Sequence, residues 1–306
     1  METIVFVDKP QLTDTQLAQL KKAGKLIIAS SLWPKEDEVL QLLTQATIIV
    51  SKWIPITRKI LDNSPHLKYI VMAMTGYQDW VDAGVVKEKN IIVSNVPAFS
   101  SEAVAEHSIL LMLAIVRNLV AAHNDLTNRG KFDPKDLQGQ ELAGKTLGIV
   151  GYGNIGRRLG QLARCFDMKV ISVNSGSTRR DLNNLLKRSN FLSINVPLTP
   201  LTEKMIGDEE LSLLPKGAVV INTSRGKVID EKALIKYLQN GHLLGAGLDV
   251  FAQEPPDKNN LIFKLPNVVV TPHIAYNTKE AYDRLMEGVI ANLEAYALGK
   301  PINRVI

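Results

Sequence analysis

The segment LGIVGYGNIG at residues 147–156 is the most informative signal for the fold of this chain. Its first four residues are typical of a buried parallel strand, and residues 157–166 after it have a helical pattern. Gly151 allows a tight turn, Gly153 lets the backbone approach a pyrophosphate, and Gly156 allows close packing of helix on strand. The start of the helix presents unpaired N–H groups to the phosphates. This context favours a dinucleotide-binding loop over a purely structural glycine turn. The predicted cofactor-binding residues of the loop are Gly151, Gly153, Asn154, Ile155 and Gly156.

The composition excludes several classes of protein. The chain has 306 residues, 45% of them hydrophobic and 22% charged, which suggests about two globular domains. Its longest purely apolar stretch, Ile109 to Val116, is far shorter than the roughly 20 residues that span a bilayer. We see no signal peptide, and the single cysteine, Cys165, rules out an internal disulfide, so we expect a cytoplasmic protein with no membrane partner. The net charge of +5 is scattered along the chain, which suits an anionic cofactor better than a nucleic-acid partner.

Short apolar strands alternate with helical patterns along the whole chain, which predicts an α/β fold with parallel sheets. Two successive series of strands are predicted, and two doubly wound units fit the length. The first series is Ile4–Val7, Leu26–Ala29, Thr47–Val50, Tyr69–Ala73 and Ile91–Ser94. The second series is Leu147–Val150, Val170–Val173, Phe191–Asn195, Ala218–Asn222, Ala246–Asp249 and Val268–Thr271.

Three helices carry informative ends. A capping box at Thr13–Gln16 begins the first helix, because each side chain satisfies an unpaired backbone donor of the other residue. A single, unusually long helix is predicted over residues 101–128. The last helix is predicted over residues 278–298, with Asn277 and Glu280 at capping-box spacing. Because it follows the second series of strands, we expect the chain to return there to the first domain.

Six segments resemble one family, the D-isomer-specific 2-hydroxyacid dehydrogenases. They occur in the family's order, and the likeness is strongest over residues 95–277. The segments are SEAVAEH at 101–107, GKTLGIVG at 144–151, NVPLT at 195–199, NTSRG at 222–226, GLDVF at 247–251 and TPHIA at 271–275.

This resemblance implies two doubly wound parallel-sheet domains with an active cleft between them. Residues 1–98 and 277–306 would form a flavodoxin-like substrate domain, and residues 99–276 a Rossmann-type dinucleotide-binding domain. The resemblance also implies a homodimer built largely on the cofactor domain. It extends the cofactor-binding set to Val196, Pro197, Thr223, Ser224 and Asp249.

Three residues match the family's catalytic positions: Arg225, Glu254 and His273. Arginine can bind a substrate carboxylate with two parallel hydrogen bonds, and histidine can exchange a proton near neutrality. Glu254 would orient His273 and favour its protonated form. The formate-oxidising branch of the family lacks this glutamate, so Glu254 argues against that activity. The resemblance therefore implies reduction of a 2-oxo acid to a D-2-hydroxy acid with His273 as general acid and base.

The cofactor is predicted from the end of the second strand in this domain. An NAD enzyme usually places an acidic residue there, to bind the ribose hydroxyls. Here Val173 is followed by Asn174 and Ser175, and no acidic residue precedes Arg179 and Arg180. Asn174 and Ser175 can donate hydrogen bonds to a 2′-phosphate, and either arginine can add charge. We therefore favour NADP over NAD, although two solvated arginines at a helix start are the alternative interpretation.

The substrate is predicted less sharply. Thr75 and Gly76 match a family loop whose backbone N–H groups bind the substrate carboxylate, and Lys52 is a second candidate for that role. Trp53, Met72 and Met74 either narrow the side-chain pocket or belong to the core. These residues suggest glyoxylate, hydroxypyruvate or pyruvate without choosing among them.

Two alternatives stay open. Relatives with this fold act as nucleotide-sensing corepressors, and some keep the same three catalytic residues. An NAD-dependent D-lactate or phosphoglycerate dehydrogenase is the other alternative. His107, on a largely apolar helix, is interpreted as structural, and Cys165 as core filling. No metal site is predicted, because the other histidines lack metal-ligand spacing.

Overall fold

Two parallel β-sheets organise the chain, which is described over residues 2–306 in a computed structural model. The first unit comprises the chain up to Ser100 together with Thr278–Ile306, and the second comprises Ser101–Asn277. The predicted α/β fold with two parallel-sheet domains is confirmed.

The first unit has a five-stranded sheet in the order β2-β1-β3-β4-β5, the flavodoxin-like order. Its strands are β1 Thr3–Phe6, β2 Lys25–Ile28, β3 Ile48–Ser51, β4 Tyr69–Met72 and β5 Ile92–Asn95. Its helices are α1 Asp14–Ala23, α2 Glu36–Leu43, α3 Arg58–Asp62, α4 Ala83–Glu88 and α11 Lys279–Ala297. Every residue of β3 and β4 is buried. That is the reason why these strands read as continuous apolar runs and not as alternating patterns.

The second unit has a six-stranded sheet in the order β11-β10-β9-β8-β6-β7, and all its strand pairs are parallel. Its strands are β6 Thr146–Val150, β7 Lys169–Val173, β8 Phe191–Ile194, β9 Ala218–Asn222, β10 Leu243–Leu248 and β11 Val268–Val270. Its helices are α5 Ser101–Val116, α6 Leu119–Arg129, α7 Asn154–Cys165, α8 Arg179–Leu186, α9 Asp208–Leu213 and α10 Glu231–Gln239. Short 3-10 helices cover Gly226–Val228 and Leu261–Lys264. The strand order reverses between β6 and β8, and such a switch point is where doubly wound sheets bind ligands.

The single long helix predicted over residues 101–128 is wrong. The structure has two helices there, α5 and α6, bent by 62°. Asn118 between them has a left-handed φ of 52°, a conformation that asparagine tolerates better than most residues. The carbonyl of Val116 accepts from the backbone N–H of Gln140 at 2.8 Å. A tertiary contact at the end of α5 therefore takes the place of a continued helical hydrogen bond.

Of the other two predicted helix starts, that of α1 is confirmed and that of α11 is wrong. The capping box of α1 is confirmed, with Thr13 and Gln16 each accepting from the other's backbone N–H. The cap of α11 is Thr278, which accepts from Ala281 at 3.1 Å, and not the predicted Asn277. Within residues 2–306, no single helix is long and apolar enough to span a membrane, and only the bent pair of α5 and α6 passes that test together.

Candidate active site

Three neighbouring strands deliver the predicted catalytic residues. Arg225 follows β9, Glu254 follows β10 and His273 follows β11. These strands are adjacent and parallel, so their carboxyl ends lie at the same edge of the sheet. Sheet topology thus brings together residues that are distant in sequence.

Glu254 and His273 form a direct pair. The Glu254 Oε2 atom lies 2.7 Å from His273 Nδ1, and Oε1 accepts from the backbone N–H of Phe251 at 3.0 Å. The side chains of His273 and Glu254 are 43% and 35% exposed, so an incoming molecule can reach them. Burial acts to raise the pKa of Glu254, but the hydrogen bond and charge of His273, the Phe251 N–H and the charge of Arg225 together hold it below its usual value. Glu254 is therefore an anion at neutral pH.

Arg225 is held by the backbone around it. Its Nη1 donates to the Ser224 carbonyl at 2.8 Å, and its own carbonyl accepts from Asn222 Nδ2 at 2.9 Å. A β-carbon at Gly226 would overlap the backbone of Phe251. This close approach joins the loop after β9 to the loop after β10, and only glycine allows it.

An apolar cavity of about 360 Å³ adjoins the pair of Glu254 and His273. Its remaining wall is Phe251, Pro255, Pro256, Phe263, Val270, Thr271 and Pro272. Tyr276 lies edge-on to the His273 ring, with 6.1 Å between the ring centroids. Glu254 and His273 are thus bordered on one side by apolar side chains.

The glycine loop has the shape that a dinucleotide needs. Gly151 has a φ of 96°, and a β-carbon there would overlap the carbonyl of Asn195. A β-carbon at Gly156 would overlap the carbonyl of Gly151, whereas at Gly153 it would meet open space. Gly153 caps α7, with Asn154, Ile155 and Gly156 in its first turn. Two glycines are therefore required by close packing, and the third leaves room for a pyrophosphate beside a helix N-terminus.

The turn after β7 is held by hydrogen bonds among its own residues. The Asn174 Oδ1 atom accepts from the Gly176 N–H at 3.0 Å, and Ser177 Oγ accepts from the Asn174 N–H at 3.1 Å. Thr178 and Asp181 form a capping box that begins α8. Ser175 lies exposed in this turn. The asparagine oxygen therefore stabilises the turn.

Arg179 and Arg180 differ in their surroundings. The Arg179 guanidinium pairs with the buried carboxylate of Glu210 and lies 3.4 Å from Glu209. Arg180 is exposed on the first turn of the same helix. The interpretation of both arginines as simply solvated is therefore wrong for Arg179.

The remaining predicted cofactor residues follow β8, β9 and β10. A β-carbon at Gly151 would approach Val196, and the Pro197 carbonyl accepts from Thr202 at 2.6 Å. Thr223 Oγ1 lies 3.2 Å from Ser108 Oγ, and Ser224 donates to Asn222 Oδ1. Asp249 is fully buried and bonded to residues 271–275. The Val196 side chain thus lies beside the glycine loop.

In the first unit, Lys52 follows β3 and is only 7% exposed. Its Nζ lies 4.3 Å from the ring centroid of Tyr282 and 4.9 Å from that of Trp53. Burial lowers the pKa of Lys52 to about 8, although the charge of Asp8 opposes the shift. The Asp8 carboxylate accepts from the backbone N–H groups of Lys52 and Trp53 at 2.8 and 2.6 Å.

The loop after β4 is held by the segment after β5. The Thr75 carbonyl accepts from Asn95 Nδ2 at 2.7 Å, and the Thr75 hydroxyl donates to the Val96 carbonyl at 3.2 Å. Gly76 continues this loop. Met72 is fully buried, so the interpretation of Met72 as a core residue is confirmed.

A family model described as D-isomer specific 2-hydroxyacid dehydrogenase, NAD binding domain, matches residues 109–275. The chain belongs to this family. A glycerate dehydrogenase of Methylorubrum extorquens is 36% identical over 99% of this chain and 98% of its own length. A glyoxylate reductase of Thermococcus litoralis is 38% identical over 86% of this chain and 83% of its own.

Among solved structures, an acyclic imino acid reductase in complex with NADPH and D-Arg has a TM-score of 0.90. It is 32% identical and covers 99% of this chain and 100% of its own. This dehydrogenase family acts on CH–OH groups with NAD(P), so the chain is an oxidoreductase that uses a nicotinamide dinucleotide. The fit of the glycine loop agrees with that cofactor.

Two polar residues near the predicted substrate loops of this dehydrogenase were missed. Asp8 directly follows the apolar run of β1, a position at the carboxyl edge of the sheet that could have singled it out. Tyr282 lies on α11, and only the tertiary fold brings it to Lys52. Within residues 2–306, no group of three or more His, Cys, Asp or Glu side chains is arranged to hold a metal ion.

Proposed function

We propose that this dehydrogenase reduces a small 2-oxo acid to the D-2-hydroxy acid, with His273 as the proton donor. The observation that carries the proposal is the 2.7 Å contact between Glu254 and His273 Nδ1 at the carboxyl edge of the sheet. It leaves Nε2 of His273 to face the substrate oxygen. The bound nicotinamide supplies the hydride.

Each catalytic residue has a distinct task. As the carbonyl carbon is reduced, negative charge develops on its oxygen, and Nε2–H of protonated His273 transfers its proton there. Glu254, an anion at neutral pH, stabilises the imidazolium before the transfer and keeps the ring oriented. Arg225 binds the substrate carboxylate, because its guanidinium is always charged and matches two carboxylate oxygens.

Lys52, Thr75 and Gly76 are proposed to bind the substrate carboxylate. Lys52 carries a positive charge below pH 8, and its surroundings are aromatic. The hydrogen bonds of Thr75 to Asn95 and Val96 fix the loop backbone. A small anionic 2-oxo acid such as glyoxylate, hydroxypyruvate or pyruvate fits these groups.

NADP is the proposed cofactor, with Arg180 as the main contact to the 2′-phosphate. No acidic residue follows β7 before α8 begins, so the ribose-binding carboxylate of NAD enzymes is missing. Arg179 is held by Glu210, so it reaches a phosphate only if it leaves that pair. Asn174 and Ser175 can supply further donors.

The two arginines form a matched pair of variants. Arg180→Ala is expected to lower the ratio of NADPH to NADH activity by about tenfold, since a charge-assisted hydrogen bond contributes about 1.5–3 kcal/mol. Arg179→Ala should lower the melting temperature, because it leaves buried Glu210 unpaired, with little change in the ratio. A change of ratio in Arg179→Ala alone would reverse the assignment. An unchanged ratio of NADPH to NADH activity in both variants would show that neither arginine selects the cofactor.

The function itself is tested by NADPH and NADH consumption with glyoxylate, hydroxypyruvate and pyruvate at neutral pH. Rapid consumption with one acid supports the proposal, and His273→Ala should then lose most turnover while its nucleotide affinity stays unchanged. A second arm adds ammonia or arginine to each acid, because the similar solved structure is an imino acid reductase. Faster turnover only in that arm would favour imine reduction. Nucleotide binding without turnover in either arm would favour the corepressor-like alternative.

A homodimer is also proposed. The family resemblance implies it, and several apolar side chains of the second unit are exposed: Leu110, Leu119, Val120, Leu126 and Phe132. Exposed apolar groups of this kind favour association with another protein surface. Light scattering of the purified chain at micromolar concentration should give twice the mass of 33.8 kDa. A mass equal to that of one chain would contradict the dimer.

A further inference from the structure

A chain of hydrogen bonds links helix α5 to the loop that carries His273. The His107 Nε2 atom lies 3.0 Å from Thr271 Oγ1, and Thr271 Oγ1 donates to Asp249 Oδ1 at 2.6 Å. The His107 side chain is 12% exposed and that of Asp249 is fully buried. These contacts join three segments that are far apart in sequence.

The direction of each bond follows from counting protons. The Thr271 hydroxyl has one proton, and the short bond to the acceptor-only carboxylate of Asp249 uses it. Thr271 Oγ1 must therefore accept from His107, so the proton of His107 lies on Nε2. Burial lowers the pKa of His107, against the opposing charge of Asp249, so the ring is neutral at neutral pH.

Asp249 connects this chain of hydrogen bonds to the backbone around His273. Its Oδ1 accepts from the Ile274 N–H at 2.9 Å, and its Oδ2 from the Ala275 N–H at 2.8 Å. Its backbone carbonyl accepts from the His273 N–H at 2.8 Å. His273 has a φ of 54°, in the left-handed region that few residues other than glycine adopt. Asp249 thus holds the backbone of His273 in a conformation that it would seldom take alone.

We propose that His107 is a positioning residue for His273, acting through Thr271 and Asp249. The inference rests on the proposed role of His273 as proton donor. The Nε2–H of His107 keeps the Thr271 hydroxyl directed at Asp249, and this holds the carboxylate where it bonds to Ile274 and Ala275. Without that donor the hydroxyl is free to turn, and the loop of His273 loses its fixed direction. A small displacement of a catalytic acid is enough to slow proton transfer strongly.

The test uses two matched pairs of variants. His107→Leu removes the donor and His107→Gln keeps one at a similar distance from the backbone. Thr271→Val removes the hydroxyl and Thr271→Ser keeps it. For each, kcat and KM are measured with the best 2-oxo acid, together with nucleotide Kd and the melting temperature.

The expected result is a split between turnover and binding. His107→Leu and Thr271→Val should lose at least tenfold in kcat, with less than a twofold change in nucleotide Kd. His107→Gln and Thr271→Ser should recover most of the kcat. Equal kcat values within each pair would overturn the proposal, because hydrogen bonding would then be irrelevant. So would a loss of kcat matched by an equal loss of nucleotide affinity, which indicates general damage to the domain.

A second readout does not depend on turnover. The chain has five histidines, and the ring Cε1–H signal of His273 can be assigned in NMR spectra with His273→Asn. This signal should move in His107→Leu and stay in place in His107→Gln. An unmoved signal in both variants would overturn the positioning role even in an active enzyme. Wild-type protein without turnover, but with the shift restricted to His107→Leu, would refute the proposed function and keep the positioning role.

Discussion

Replacing Glu254 by glutamine tests the central pair of the site. The glutamine side chain keeps one oxygen that can accept from His273 Nδ1 and so orient the ring, while the negative charge is lost. Its amide nitrogen replaces the oxygen that accepts from the Phe251 N–H. Two unit charges 2.7 Å apart attract each other by about 1.5 kcal/mol even at the dielectric constant of bulk water. Solvent screens this attraction fully, because both side chains are about a third or more exposed.

This energy sets the expected loss of rate. Since about 1.4 kcal/mol corresponds to a factor of ten in rate, the reduction rate of Glu254→Gln should fall to about a tenth of the wild-type rate at alkaline pH, where the lost charge no longer helps to hold the proton on the donor. The rate at acidic pH should stay close to that of the wild type. The assay is kcat/KM for 2-oxo acid reduction between pH 5 and pH 10.

The control is Asp257→Asn, which removes a carboxylate from the same loop and keeps an oxygen to accept from the backbone N–H of Asn259, as Asp257 does. Its pH profile should match that of the wild type. The reasoning is refuted if the Glu254→Gln profile superimposes on the wild-type profile, or if the rate falls equally at every pH.

Two further predictions concern the glycine loop and Lys52. Gly153→Ala should leave thermal unfolding unchanged, because a β-carbon there meets open space. It should weaken NAD(P)H binding at least tenfold in a fluorescence titration, because that space is the room left for the pyrophosphate. Gly156→Ala should cost about 1–3 kcal/mol of stability by overlap with Gly151; equal stability of the two variants would contradict this interpretation of the loop. For Lys52, the folded pKa of about 8 lies below its unfolded value of about 10.4. The unfolded chain then binds more protons between these values, so stability should rise with pH across this window by up to about 3 kcal/mol. The rise should be absent in Lys52→Met and present in Lys68→Met, a change at an exposed position, as urea unfolding at pH 8, 9 and 10 would show. The KM for the 2-oxo acid should increase above pH 8 in the wild type and in Lys68→Met, but not in Lys52→Met.

Much of the fold was predictable because its signals are local. Buried parallel strands appear as apolar runs, and the strand, glycine loop and helix at residues 147–165 follow one another directly. The break between α5 and α6 was not predictable, because it depends on the left-handed backbone of Asn118 and on a hydrogen bond from Gln140. The sequence around residues 116–119 has no proline or glycine to signal it.

The amino-acid sequence alone shows which chemical groups are available: the three proposed catalytic residues, the glycine loop and the missing acid after β7. Which side chains come into contact depends on the tertiary structure. It placed Arg179 against Glu210, Lys52 beside Tyr282, and His107 behind the loop of His273. The physical reason is that motifs and periodicity describe neighbours along the chain. A hydrogen bond or ion pair depends instead on where strands and helices from separate segments come to lie.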